Sequence, residues 1–402
     1  MSAKVKVFDL FKLLLGRYII FSLIGVETLV LPYFLNKGVY AQVEFLKFTF
    51  ILFNFVALGA GTGYITDTIN SSNRTDLNAM VLIVGGGLYA FCVSAILLFL
   101  KLDVLAVLVW FSVLTILIES ILKTREKYLA AMSFKPILAV TLIAGAVAFQ
   151  VSDSSVSYYV LFSVALSFVL FAILACSFLI DKGYIKSQLQ KINFLASIKG
   201  FWFCVKAGVL MNSATAILFI MLYMDRLFIK NHFNDFLADY SLAFAITQLT
   251  MVAVTTFSYT NIVALGKEGK NRLHSKVTEQ MKKCFSLFVP LAIATLAFAY
   301  VAEKFYGYKY LFEICLIMVM LLGLANVFMS VNSVYIYLGK MKFLVILSLI
   351  SCAISLLLYP LMLVAGIHGL YLVLIKTYSV FLILSIILYG YARKCTSHLL
   401  YE

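Results

Sequence analysis

Apolar runs of about 20 residues follow one another along this chain, and that pattern restricts its fold more than any other feature. The first is "LLLGRYIIFSLIGVETLVLPYF" at 13–34 and the last is "LYLVLIKTYSVFLILSIILYGY" at 370–391. A helix rises about 1.5 Å per residue, so roughly 20 residues cross a ~30 Å hydrocarbon core. In lipid, backbone polar groups must be satisfied within the segment, which leaves helices or closed barrels. A barrel needs short segments alternating polar and apolar, and these runs do not alternate. The composition agrees: 63% hydrophobic, 12% charged and a mean hydropathy of +1.03, where soluble domains are nearer half apolar and about a quarter charged. The expectation is an all-α polytopic membrane protein.

Twelve spans are expected, near 13–35, 46–66, 79–100, 104–124, 137–151, 158–180, 200–224, 238–262, 283–302, 311–335, 342–365 and 369–391. The basic start "MSAKVK" followed by an apolar run resembles a secretion signal. That run passes Val30 without a convincing cleavage site, so it reads as an uncleaved first span. With both termini cytoplasmic, 24 of the 32 Lys and Arg residues fall on the cytoplasmic side and 7 outside, with Lys376 inside the last span. That bias fits the positive-inside rule. It also accounts for most of the +14 net charge, so basic loops against anionic lipid are expected rather than nucleic-acid binding.

The basic stretch "DKGYIKSQLQKINFLASIKG", 181–200, separates six spans from six. An N-terminal bundle over 1–195 and a C-terminal bundle over 196–402 are therefore expected. Each half opens with a span carrying a cation near its cytoplasmic start, Arg17 and Lys206. Each of these spans runs into a short polar loop and then a second span. Two such halves are the usual plan of a secondary transporter, with the substrate path between them.

Charge inside an apolar run costs roughly 2.5–3.5 kcal/mol on insertion scales, so each case implies a partner or a cavity. Glu27 lies mid-span and Lys376 lies within the twelfth span; Asp225 and Arg226 close the seventh in "MLYMDRLFIKN". Polar stripes recur at helical spacing in the tenth span (Asn326, Ser330, Ser333, Tyr337) and the eighth (Ser241, Gln248, Thr255, Tyr259). Such stripes line water or join helices. The glycines of "LGAGTG" and "VGGG" sit in apolar helices and suggest close packing. Seven scattered cysteines, with no C-x-x-C, read as small packed hydrophobes, and no metal or cofactor is expected. No P-loop, zinc-protease motif or nucleophile elbow occurs, so no enzyme is expected and ATP bound to this chain is not the energy source.

Several tracts carry a family resemblance. They are "YMDRLFIKN", "ADYSLAFAITQLTMVAVTTFSYTNIVALGKEGK", "LPYFLNKGVYAQVEFLKFTFILFNFVALGAGTGYI" and "NSVYIYLGKMKFLVILSLISCAISLLLYPLMLVAGIHGLYL". With twelve spans in 402 residues, the chain resembles the Wzx-type polysaccharide flippases of the multidrug/oligosaccharidyl-lipid/polysaccharide (MOP) exporter superfamily. The resemblance implies two six-helix bundles in the V shape of the MATE (multidrug and toxic-compound extrusion) transporters, in a bacterial inner membrane. It implies translocation of undecaprenyl-diphosphate-linked oligosaccharide, the O-antigen repeat unit, by alternating access, alongside membrane lipids and polysaccharide-assembly membrane proteins. Arg17, Lys206 and Lys376 then become the cations for the diphosphate, since arginine and lysine both bind phosphate. Glu27 becomes the ion-coupling carboxylate, and Asp225 with Arg226 a gate or bundle-locking ion pair. Gln248, Thr255, Asn326 and Ser330 become polar cavity contacts. A MATE-like drug exporter and a membrane polysaccharide polymerase are the alternatives.

Overall fold

The computed structural model describes residues 3–70, 79–125, 127–148, 155–179, 194–248, 273–332, 334–338, 340–364 and 369–398, with positions 151, 251 and 254 besides. Every regular element among them is helical. In chain order the longer helices are α1 (Ala3–Phe34), α2 (Lys37–Phe53), α3 (Ala60–Asn70), α4 (Ala79–Phe99), α5 (Asp103–Thr124), α6 (Phe134–Ala148) and α7 (Val156–Leu179). Then follow α8 (Phe194–His232), α9 over 237–248, α10 (Leu273–Tyr306), α11 (Leu311–Met329), α12 (Met341–Val364) and α13 (Leu370–His398). Among the described residues nine helical segments are long and apolar enough to cross a membrane, with two shorter ones, Ser22–Phe34 and Phe134–Ala148. The protein is a multi-pass membrane protein. The eighth expected span, 238–262, is described as a continuous helix only to 248, so the expected twelve are not all counted.

The second expected span starts earlier than expected and breaks in the middle, both for local reasons. The second span begins at Lys37 rather than near 46, because Asn36 caps α2: its side-chain oxygen accepts the Val39 N–H at 2.8 Å. The same span is not one helix. A 3-10 turn, Asn54–Ala57, ends α2, and Leu58 (φ 51°) and Gly59 (φ 78°) then take left-handed backbone before α3 starts. Broken backbone at membrane depth persists only where protein groups satisfy it. Here Ser112 of α5 donates to the Phe50 carbonyl at 3.1 Å or to Asn54 Oδ1 at 2.6 Å, and Asn212 of α8 reaches the Phe55 carbonyl at 3.5 Å.

The chain divides into two compact units, Met1–Ala216 and Ile217–Glu402, and the division falls within α8. In the first unit α5 is central and packs on α3, α4 and α7, while α1 lies against α6. Leu82, Leu108, Leu117, Ile121 and Phe201 are fully buried there. Glycine brings helices close at the break. A Cβ on Gly63 would meet the Cys204 carbonyl oxygen at 1.8 Å, and one on Gly208 would meet that of Gly59 at 2.0 Å. Gly85 and Gly86 likewise press on Ser197 and Leu117. The glycine runs therefore pack helices, as their apolar setting suggested.

The second unit is built around α13, which packs on α10, α11 and α12. Its core is rich in tyrosine: Tyr240, Tyr335 and Tyr378 are fully buried, with hydroxyls paired to Tyr378, the Leu388 carbonyl and Tyr240 respectively. A π-helical turn, Val319–Gly323, interrupts α11 where Gly323 faces the Phe288 ring. Large apolar side chains remain outside both units, Phe99 at 89% exposure and Val364 at 87% being the extremes. Against hydrocarbon such a surface is at home.

Candidate functional site

Among the described residues, each unit buries a charged cluster built from neighbouring helices. In the first, α1 supplies Glu27 and α2 supplies Glu44 and Lys47. The Lys47 ammonium lies 2.5 Å from Glu27 Oε1 and 2.6 Å from Glu44 Oε1. Glu44 and Lys47 meet because residues three apart share a helix face. Glu27 is 2% exposed and Glu44 6%. The trio itself holds two carboxylates to one ammonium, and a carboxylate held this far from water readily takes up a proton or a cation. The chemistry such a trio offers is exchange of a proton or a monovalent cation. Among the described residues no group of three His, Cys, Asp or Glu has metal-binding geometry.

In the second unit Asp225 of α8 is fully buried and is met by two other helices. Tyr359 of α12 and Thr377 of α13 both donate to Asp225 Oδ1, Thr377 at 2.6 Å. Lys376 of α13 places its ammonium 3.7 Å from the same oxygen, donates to the Ser355 carbonyl at 3.2 Å, and lies 3.1 Å from the Tyr359 ring centroid. Two hydrogen-bond donors and one ammonium thus gather at Oδ1, while Oδ2 has no hydrogen-bond partner among the described residues. Arg226 turns elsewhere, with its guanidinium over the rings of Phe244 (4.5 Å) and Tyr240 (5.5 Å) of α9.

The expectation that Asp225 and Arg226 pair with each other is corrected by this geometry. Consecutive helical residues point about 100° apart, and Asp225 takes Lys376 as its cation. Nor does the pair close the helix, since α8 continues to His232. Lys376, expected to await substrate, has a side chain only 7% exposed and is engaged by Asp225. Lys206 stands exposed on α8. Arg17 lies on α1, with its side chain outside the described residues.

Of the polar stripes, Gln248 is half-buried at the end of the described part of α9, and Thr255 and Tyr259 lie outside the described residues. Asn326 donates back to the Leu322 carbonyl at 2.8 Å, and buried Ser330 accepts from Gln280 of α10 through its carbonyl at 3.1 Å. Ser241 is fully buried. Ser333 lies outside the described residues, as does the Tyr337 side chain. Sequence reasoning found Glu27 but missed Glu44 and Lys47, which it left at the edge of a loop. Their i, i+3 acid–base spacing directly after the Asn36 cap was the available signal.

No protein-family pattern matches the chain, and no curated protein does. Solved structures do. The chain is similar to the inward-facing conformation of a multidrug-resistance MATE family transporter of the MOP superfamily, at 13% identity and TM-score 0.68 over 95% of both chains. An outward-facing conformation of a MATE family transporter matches at 14% identity and TM-score 0.68, over 97% of this chain and 96% of that one. A MOP superfamily transporter from Pyrococcus furiosus, described as having a binding pocket of reverse polarity that suggests a different function, matches at 13% identity and TM-score 0.62 over 97% and 96%. Near-complete coverage in both directions gives this chain the fold of the MATE-type transporters.

Proposed function

We propose that this chain is a membrane transporter working by alternating access, and that it carries a lipid-linked oligosaccharide diphosphate from the cytoplasmic to the outer leaflet of a bacterial inner membrane. The observation that carries the transport reading is the fold. Similar chains have been solved in inward-facing and outward-facing forms, and this chain matches both over nearly its whole length. The Glu27–Glu44–Lys47 cluster supports ion coupling. It is a buried site with two carboxylates to one ammonium, and loading such a site with a proton or cation biases one conformation over another.

The cargo reading rests on the family resemblance of the sequence and on cations in spans. Lys206 is exposed on α8, and Arg17 belongs to α1. A diphosphate needs such charges to cross a membrane, while its polyprenyl tail stays in lipid. The reverse-polarity binding pocket described for the Pyrococcus protein, and the different function it suggests there, support the idea that chains of this fold differ in what they carry.

The test is surface polysaccharide in a deletion strain, together with the leaflet location of the lipid-linked repeat unit. The proposal expects polymer to be lost and repeat units to be trapped on the cytoplasmic side. The wild-type gene restores both, and Lys206→Ala does not. Normal polymer with altered resistance to cationic compounds would overturn the cargo and favour the second reading, a drug exporter, which the MATE fold itself supports.

A further inference from the structure

A groove in the second unit has no part in either reading. It lies between the last turns of α8 and the C-terminal half of α12 and encloses about 360 Å³, within the range of roughly 300–1,000 Å³ typical of small-ligand sites. Met224, Leu227, Phe228, Asn231 and His232 line it from one face of α8, at the i, i+3, i+4 spacing of a single stripe. Leu356, Tyr359 and Pro360 face them from α12.

The groove is graded along its length. Its walls are apolar at Met224, Leu227, Leu356 and Pro360, and it ends at the exposed side chains of Asn231 and His232. The last turn of α8 is basic, with Lys230 and His232. Immediately beside the groove, α12 turns outward Leu357 (64% exposed), Leu361 (60%) and Val364 (87%), a flank suited to hydrocarbon. An apolar slot opening beside such a flank, with amide and imidazole N–H donors at one end, matches a molecule with a hydrocarbon chain and an anionic head.

The slot also has a wired floor. The His232 ring lies 4.4 Å from Phe228, and Phe228 stacks on Tyr359 at 4.6 Å. Tyr359 in turn donates to Asp225. One aromatic stack therefore runs from the polar mouth to the buried carboxylate.

We infer that this groove is a phospholipid site: one acyl chain lies along Leu227, Leu356 and Pro360, and the phosphate is held by Asn231 and His232. A chain in the slot packs on the Tyr359 ring and braces the hydrogen bond to Asp225. The site requires nothing of the transported cargo.

The experiment is native mass spectrometry of the purified full-length protein with added phosphatidylglycerol, read as the fraction carrying one lipid after partial detergent removal. Wild type retains one phosphatidylglycerol more tightly than the rest. Leu227→Trp, which fills the slot, removes that adduct, and Leu357→Trp on the exposed flank keeps it. His232→Ala weakens it by about tenfold, the loss expected for a hydrogen bond to a charged group. Should Leu227→Trp fail to fold, the folded His232→Ala variant decides between a specific site and none. Retention of the adduct in Leu227→Trp, equal loss in Leu357→Trp, or unchanged affinity in His232→Ala overturns the assignment and makes the lipid part of a general annulus.

Discussion

At the scale of single residues, the sharpest consequences follow from unequal charge. Lys376 is the only cation paired with Asp225 among the described residues, and removing one member of a buried pair costs about 3–5 kcal/mol, while replacing both with neutral groups is often tolerated. Lys376→Met should therefore destabilise the protein by that amount, and adding Asp225→Asn should recover most of it; unfolding in detergent reads both. Losses that simply add in the double variant would mean the two do not act as a pair. Around Lys47 the asymmetry runs the other way. Glu27→Gln leaves the Glu44–Lys47 pair in place and is expected to fold with near-native stability, whereas Lys47→Met removes the ammonium that both carboxylates share and should cost roughly 3–5 kcal/mol. A destabilised Glu27→Gln with an undamaged Lys47→Met would contradict that charge count. Glu27, Lys376 and Asp225 were legible in the sequence because a charge inside an apolar run is visible. Their partners were not: Asp225 meets Lys376 and Thr377, the latter 152 positions further along the chain, while its neighbour Arg226 faces the rings of α9.

At the scale of elements, the break in the second span is the feature the sequence hid. "LGAGTG" reads as continuous helix because glycine is common in membrane helices. The break depends on what α8 presents at Gly208 and Cys204, and no local pattern reveals that. Alanine at Gly208 should overpack this crossing, at a cost of about 1–3 kcal/mol or more, since its Cβ would sit 2.0 Å from the Gly59 carbonyl oxygen. Gly390 of α13 is the comparison: nothing among the described residues lies within 4 Å of an added Cβ, so Gly390→Ala should stabilise by roughly 0.5–1 kcal/mol through helix propensity. Thermal unfolding of the two variants in detergent should move in opposite directions; a harmless Gly208→Ala would mean that the crossing is not close. Elsewhere periodicity served well, because long apolar runs such as those of α4, α7 and α12 leave little choice of element.

At the scale of the whole molecule, apolar surface outside and charge within each unit are what a membrane solvent selects. The fold class and the plan of many spans were readable from hydropathy alone. The position of cations relative to a substrate was not, since one of three candidates, Lys376, is engaged inside its own unit. On the proposed function, ion exchange at the acidic cluster drives movement of a lipid-linked diphosphate sugar. This is tested most directly with purified protein in proteoliposomes, by following a lipid-linked oligosaccharide diphosphate across the bilayer with and without a proton or sodium gradient. Gradient-dependent translocation by the wild type, lost in folded Glu27→Gln, is the predicted result. Translocation indifferent to both gradient and Glu27→Gln, or transport of cationic drugs with none of the lipid, would contradict it.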